Sequence, residues 1–296
     1  MANPICLSPL KFYDDVAKQS HRKSYAYENI SPLITAINWI PLFQFVIPNW
    51  KYNNGRGLSE VLLFNAKTDE VITDLSQVFS ANDSDFSIKS VENYKVAVYS
   101  GKNPIPASYN IPEGYYYLKI TSNNGGVWSY YSEVFCFSRI TKDCIEIEYW
   151  NEVSDFYLKN GIITFLDNFH FKLLLKTEIG KPEYNFEEES TKRLGYNFIE
   201  SQVSKKIYKF SIIAPEFICD AMRLIRLCDN KFIRCNDDEY EAITFEMDVD
   251  WQTQGDLALV TCEFGTDNVI VNIGGFRPDK LGGDFNTDYN IDFDNQ

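Results

Sequence analysis

Residues 201–229 read SQVSKKIYKFSIIAPEFICDAMRLIRLCD, and a change of period inside this stretch decides the fold. Before Ala214, the residues Tyr208, Phe210 and Ile212 alternate with Lys209 and Ser211, the period of a strand with one buried face. Proline cannot donate a backbone hydrogen bond and its φ already lies near the helical value, so Pro215 suits the first turn of a helix. Glu216 beside it favours the positive end of the helix dipole. Over residues 215–229 the apolar Phe217, Ile218, Ala221, Met222, Ile225 and Cys228 recur at three- and four-residue steps, with Glu216, Asp220 and Arg223 on the other side. Leu224 and Leu227 widen that stripe, which predicts a helix over 215–229 wedged against a sheet. Burial of one such Leu or Ile contributes about 1.5–3 kcal/mol.

Working outward, residues 231–234 read as a short strand, and Asn236-Asp237-Asp238 as a turn. Residues 240–251 read as one strand, in which Ile243, Phe245, Met247, Val249 and Trp251 alternate with polar side chains. QTQGD (252–256) turns the chain, and residues 257–264 return with Ala258, Val260, Cys262 and Phe264 on one face. Upstream, CIEIEYW (144–150) opposes Ile145, Ile147 and Tyr149 to Glu146, Glu148 and Trp150, and residues 162–177 supply two more strands. These elements form a second β-rich domain, residues 141–274.

Residues 58–140 read as a first β-sandwich domain. VLLF (61–64) and YKVAVY (94–99) are strands, residues 80–87 a polar loop, and GYYYLKIT (114–121) pairs with VWSYYSEVFCF (127–137) about Asn123-Asn124-Gly125-Gly126. Residues 1–57 precede it. Within them PLITAINWIPLFQFVIP (32–48) is too rich in proline for one helix, so it is either two short strands broken at Pro41 or an extended arm across a neighbour. Residues 275–296 are an acidic Gly/Asp/Asn tail, either disordered or an arm that orders against another subunit. The fold class expected is mainly β: two β-sandwich-like domains, the second with one amphipathic helix packed on its sheet.

The 296 residues exceed the usual single-core size, and the aromatic content of 16% favours strands. The net charge of −14 is uneven: residues 1–138 carry 11 basic and 12 acidic side chains, leaving 17 and 30 beyond them. So acidic a surface repels phosphate backbones and anionic membranes, which argues against nucleic-acid partners and membrane insertion. Lys205, Lys206 and Lys209 are the one basic cluster, read as a solvated guard on a sheet edge. There is no secretory leader pattern and no apolar run near 18 residues, so a soluble protein is expected. Seven cysteines without a CxxC pair and two histidines supply a zinc site poorly; the cysteines read as reduced, buried small hydrophobes, and no cofactor is expected.

Candidate chemistry is sparse. Asp284, Asn286 and Asp288 open an alternating series with the oxygen spacing of a calcium loop, but Tyr289 stands where glycine is needed and Asn295 where a glutamate belongs. Glu187-Glu188-Glu189 offers carboxylates for acid/base chemistry and reads instead as a solvated turn. His21 and His170 have no serine or cysteine motif to serve. Trp128 and Tyr130, with Tyr115–Tyr117 and Tyr131, offer an aromatic platform for sugar rings, half of which alternation turns inward. The candidate interface anchors are Phe285, Tyr289 and Phe293 in the tail, and Trp39 and Phe43 in the N-terminal segment.

Several phrases resemble a family of virion structural proteins of tailed phages and prophages of Bacteroidetes hosts, including crAss-like phages. They are PLKFY (9–13), PLFQ (41–44), GYY (114–116), YSE (131–133), EIEY (146–149), EYNFEEE (183–189), APEFICDAMRL (214–224) and EFGTD (263–267). The resemblance implies a non-enzymatic particle component near the tail or neck, assembled in the bacterial host cytoplasm as a ring or fibre adaptor. Its partners would be copies of itself and neighbouring virion proteins, with tail fibres or host glycans beyond them. The family contributes no catalytic residues, and the acidic tail departs from its pattern. A carbohydrate-binding adhesin module is the alternative; a glycan depolymerase would need an acidic cleft that the sequence does not locate.

Overall fold

The computed structural model describes residues 6–19, 33–48, 60–80, 86–91, 94–101, 103–122, 128–139, 143–152, 157–159, 162–164, 169–193, 196–251 and 257–272. The protein is mainly β, with several antiparallel sheets and two α-helices among the described residues.

The first half contains β1 (Phe12–Tyr13), β2 (Leu33–Ala36), β3 (Phe43–Pro48), β4 (Glu60–Asn65), β5 (Val71–Asp74), the short helix α1 (Ser76–Ser80), β6 (Phe86–Val91), β7 (Tyr94–Tyr99), β8 (Gly114–Ser122), β9 (Trp128–Ser132) and β10 (Phe135–Ser138). β4 takes one side of β8, so β9 and β10 lie end to end along the other. They are the single hairpin partner expected from residues 127–137, slipped by one residue near Glu133. There the Ser132 hydroxyl accepts from the Leu118 N–H at 2.8 Å and itself donates to the Glu133 carbonyl, filling the break in the ladder. β1 then pairs β9 and β2 pairs β10, which adds two strands of the N-terminal segment to the ends of this sheet, while β3 of the same segment lies in another.

A three-stranded sheet, β3-β7-β6, covers the first sheet. Aromatic rings fill the space between them: Phe45 lies 5.1 Å from Tyr130, and Phe43 touches Phe12, Phe79 and Tyr99. β6 begins at Phe86, inside the stretch expected to be a loop, because Phe86 meets Phe79 of α1 edge to face.

The second half contains β11 (Ile145–Trp150), β12 (Tyr157–Lys159), β13 (Ile162–Thr164), β14 (Phe171–Leu175), β15 (Glu183–Arg193), β16 (Tyr196–Pro215), α2 (Glu216–Leu227), β17 (Asn230–Cys235), β18 (Asp238–Glu241), β19 (Thr244–Trp251) and β20 (Leu257–Asn272). Two four-stranded sheets, β14-β11-β17-β18 and β15-β16-β20-β19, dominate it. The helix is shorter than the expected 215–229: Pro215 is its N-cap, still extended and paired in β16, and not a first-turn residue, and Cys228 is its C-cap; Phe217, Ile218, Ala221, Met222, Leu224 and Ile225 are buried. The helix packs on β16, β19 and β20, and its far side reaches the other sheet, where the Tyr149 hydroxyl donates to the Ala221 carbonyl at 3.3 Å. Leu227 stays 64% exposed, so the apolar stripe is narrower than expected by that residue.

Residues 240–251 are two strands and not one. The chain leaves β18 and enters β19 in the other sheet at Ala242-Ile243: the Ala242 N–H donates to the Lys231 carbonyl and the Ile243 N–H to the Gly265 carbonyl, both at 2.8 Å. Ile243 stands at the crossing, which is why it is exposed in spite of its place in the alternation. Most buried apolar residues of both halves form one continuous network, with Ala66, Tyr117 and Val134 in a small separate cluster.

Candidate functional site

Two surfaces stand out. The first is the ribbon made by β15, the outer half of β16 and the matching part of β20. Burial along β16 alternates only from Tyr208 onward, and residues 201–207 are half-buried on both faces. β15 is exposed along nearly its whole length; eleven residues of antiparallel strand span about 37 Å. Such a strand contributes little to the core.

The ribbon is held by a polar ladder. Lys205 Nζ lies 2.6 Å from Glu187 Oε1, the Gln202 amide donates to Glu188 at 2.7 Å, and the Ser201 hydroxyl donates to Glu189 at 3.2 Å. Lys209 bridges Glu183 at 2.7 Å and Glu263 at 3.1 Å. These contacts correct two sequence expectations. Residues 187–189 lie on a strand, not a turn, and alternation sends Glu188 to the face opposite Glu187 and Glu189. The lysines sit on β16, an interior strand of its sheet, so they tie strands together and guard no edge.

Alternation also places Tyr184 and Phe186 on one face of β15, where they are 59% and 75% exposed. β15 ends its sheet: among the described residues it pairs only with β16. The ribbon therefore sets the outer edge of β15, which no other described strand pairs, beside two solvent-facing aromatic rings.

The second surface is a cleft of about 900 Å³ between the halves. Thr35, Trp39, Leu42 and Gly101 line one wall, and Glu146, His170, Lys172 and Arg234 the other. The register of β11, β14 and β17 gathers the charged wall. Glu146 faces Arg234, which in turn faces Glu239, while Glu148 lies between Lys172 and Phe232. Arg234 Nη1 donates to Glu146 and to Glu148, each at 2.7 Å, and its Nε donates to Glu239 at 2.5 Å. His170 Nδ1 lies 3.0 Å from Glu148, and its ring stacks on Trp150 at 4.3 Å.

Burial pushes the Glu148 carboxyl up, but the hydrogen bonds from Arg234 and His170 outweigh it and hold the group below its ordinary value. Those hydrogen bonds to Glu148 and Glu239 push Arg234 upward in turn. Glycoside cleavage needs one carboxylic acid that keeps its proton near neutral pH. Glu148, held below its ordinary value, does not supply it. This wall is a charge-neutralising clamp between strands.

Of the residues singled out in the sequence, Trp39 is 37% exposed on the cleft wall, in a turn closed by its own N–H to the Ala36 carbonyl at 2.9 Å. Phe43 is fully buried at the centre of the aromatic core, so it presents nothing to a partner. Trp128 and Tyr130 are each 8% exposed, because Tyr130 faces Phe45 across the sandwich and Trp128 packs edge-on against Tyr130; they are core residues and not an exposed sugar platform. Phe285, Tyr289 and Phe293, the calcium-loop candidates Asp284, Asn286 and Asp288, and His21 lie outside the described residues.

No group of three or more His, Cys, Asp or Glu side chains is placed to hold a metal among the described residues. Cys144, Cys219, Cys228 and Cys262 are buried, and burial pushes the Cys219 thiol up to about 11 and Cys228 to about 12, so both stay protonated near neutral pH. No described helix is long and apolar enough to cross a membrane. Neither a protein-family model nor a curated protein matches this chain.

Proposed function

We propose that this chain is a non-enzymatic structural protein of a tailed-phage virion, associated with the tail or neck, which works by packing against copies of itself and adjoining particle proteins. The observation that carries this reading is the solvated β15–β16 ribbon, whose Tyr184 and Phe186 stand 59% and 75% exposed beside a strand edge that no other described strand pairs. A monomeric protein gains nothing from holding those rings in water; a subunit gains an anchor and a strand to pair. The clamped state of Glu146 and Glu148 and the protonated, buried thiols support a role without turnover. The phrases at residues 183–189, 214–224 and 263–267, which resemble virion structural proteins, coincide with the ribbon, the wedged helix and the return strand.

The mechanism is geometric. Two sandwiches joined by a continuous core form a stiff body, and the ribbon reaches from it to a neighbour. The test is to probe density-gradient fractions of phage particles from a Bacteroidetes host whose phage or prophage encodes the chain, with an antibody raised against it. Signal that bands with intact particles at several copies each is expected. Signal confined to the soluble lysate overturns the proposal.

A further inference from the structure

The edge strands of the molecule differ in charge. β19 carries Glu246, Asp248 and Asp250 without a base, and β18 reads DEYE, so each repels a copy of itself. β15 reads EYNFEEESTKR, with acids in blocks before Ser190 and bases after it. In an antiparallel self-pair about a two-fold axis a residue faces its own copy at the axis, and residues equally spaced on either side face each other. An axis at Glu188 sets Glu187 against Glu189, and axes at Glu187 or Glu189 set a glutamate against itself. An axis at Phe186 sets Glu183 against Glu189, and one at Asn185 sets Glu183 against Glu187. An axis at Ser190 sets Glu187 opposite Arg193, Glu188 opposite Lys192 and Glu189 opposite Thr191, each twice, with no like charges facing.

We infer that two copies of this chain join through β15, antiparallel and in register about Ser190, over residues 187–193. This deepens the assembly reading and rests on it. The pairing extends each four-stranded sheet into one eight-stranded sheet across the dimer. Gln202, which donates to Glu188 at 2.7 Å from the strand behind, holds that carboxylate in the row that Lys192 of the second copy enters. Tyr184 and Phe186 follow directly beyond the overlap, next to the tip of the second ribbon. An axis at Thr191 also avoids like charges but sets only Glu189 opposite Arg193, two opposite-charge pairs against four about Ser190; directly opposed residues interact more strongly than diagonal ones, so the charge pairs favour the Ser190 register.

The experiment uses the full chain carrying Ser190→Cys or, separately, Glu188→Cys, under mild oxidation at low micromolar concentration. Opposed residues of an antiparallel pair have Cα atoms about 4.5–5.5 Å apart, within the span of a disulfide. Ser190→Cys is therefore expected to give a covalent dimer well above the wild-type background. Glu188→Cys, displaced from its copy by four residues or about 14 Å, gives only that background. Lys192→Glu weakens the non-covalent dimer about tenfold, and Glu188→Lys/Lys192→Glu together restore it. Equal or stronger cross-linking at Glu188→Cys, or failure of the double reversal to rescue, overturns the register. A discrete multimer by light scattering without Ser190→Cys cross-linking overturns the β15 pairing and leaves the assembly reading in place. A strict monomer overturns both.

Discussion

Replacing Arg234 by methionine removes the centre of the charged wall and keeps its aliphatic length. The side chains of its three partners differ in exposure: Glu148 at 12%, Glu146 at 36% and Glu239 at 53%. The charged hydrogen bond to the sheltered Glu148 contributes about 1.5 kcal/mol. The contacts to Glu146 and Glu239, screened by water, add about 0.3 kcal/mol each. The loss at neutral pH is therefore about 2 kcal/mol.

Its pH dependence follows from Glu148, whose folded-state pKa lies below the ordinary 4.5. A depressed carboxyl contributes stability that is present above its ordinary pKa and lost as pH falls through the folded value. Arg234→Met relieves the depression, so the gap to wild type is widest near neutrality and closes under acid. Urea unfolding midpoints at neutral pH, and again about one unit below the ordinary glutamate value, measure both ends. An equal deficit at the two pH values refutes the electrostatic account and leaves lost packing as the cause; no deficit at neutral pH refutes the clamp.

Three further outcomes are expected. Ile225→Ala empties a fully buried site on the wedged face of α2 and costs about 2–5 kcal/mol, whereas Leu227→Ala, 64% exposed, changes stability by less than about 0.5 kcal/mol; denaturant titration separates them. Trp128→Ala lowers stability by about 3–5 kcal/mol as a core truncation, and a glycan-array signal lost on this change with the fold intact contradicts its placement in the core. Gly101 has φ +58°, and an added Cβ there meets the Leu42 side chain, so Gly101→Ala costs about 1–3 kcal/mol, read from the thermal midpoint.

Much of this fold is written in local periods. CIEIEYW gives the buried face of β11, APEFICDAMRL gives the helix and its start, and Ala258, Val260, Cys262 and Phe264 give the inner face of β20. Across residues 240–251 the inward parity changes at the crossing, from Tyr240 and Ala242 before it to Phe245, Met247 and Val249 after it; the apolar but exposed Ile243 carries the sequence alternation through and hides the change. Phe43, Trp128 and Tyr130 have the same composition as an exposed aromatic patch; only the packing of the β3-β7-β6 sheet, which carries Phe43, on the sheet that carries Trp128 and Tyr130 decides that they are core. The charged wall was hidden for a similar reason. Glu146 and Glu148 share a face by alternation, but Arg234 joins them only through a register 86 to 88 residues distant. Tyr184 and Phe186 share a face by the same rule, and their exposure depends on the ribbon outrunning the core, which no count within EYNFEEE reveals.

The most direct measurement of the central claim is the mass of the purified full-length chain in solution by light scattering, beside a Tyr184→Ser/Phe186→Ser variant. Both rings are exposed, so the variant keeps the wild-type thermal midpoint within about 0.5 kcal/mol equivalent. The account predicts a discrete multimer for the wild type and a smaller species for the variant at the same concentration. A wild-type chain that stays monomeric at concentrations far above those of assembly, or a multimer of unchanged mass in the variant, contradicts it.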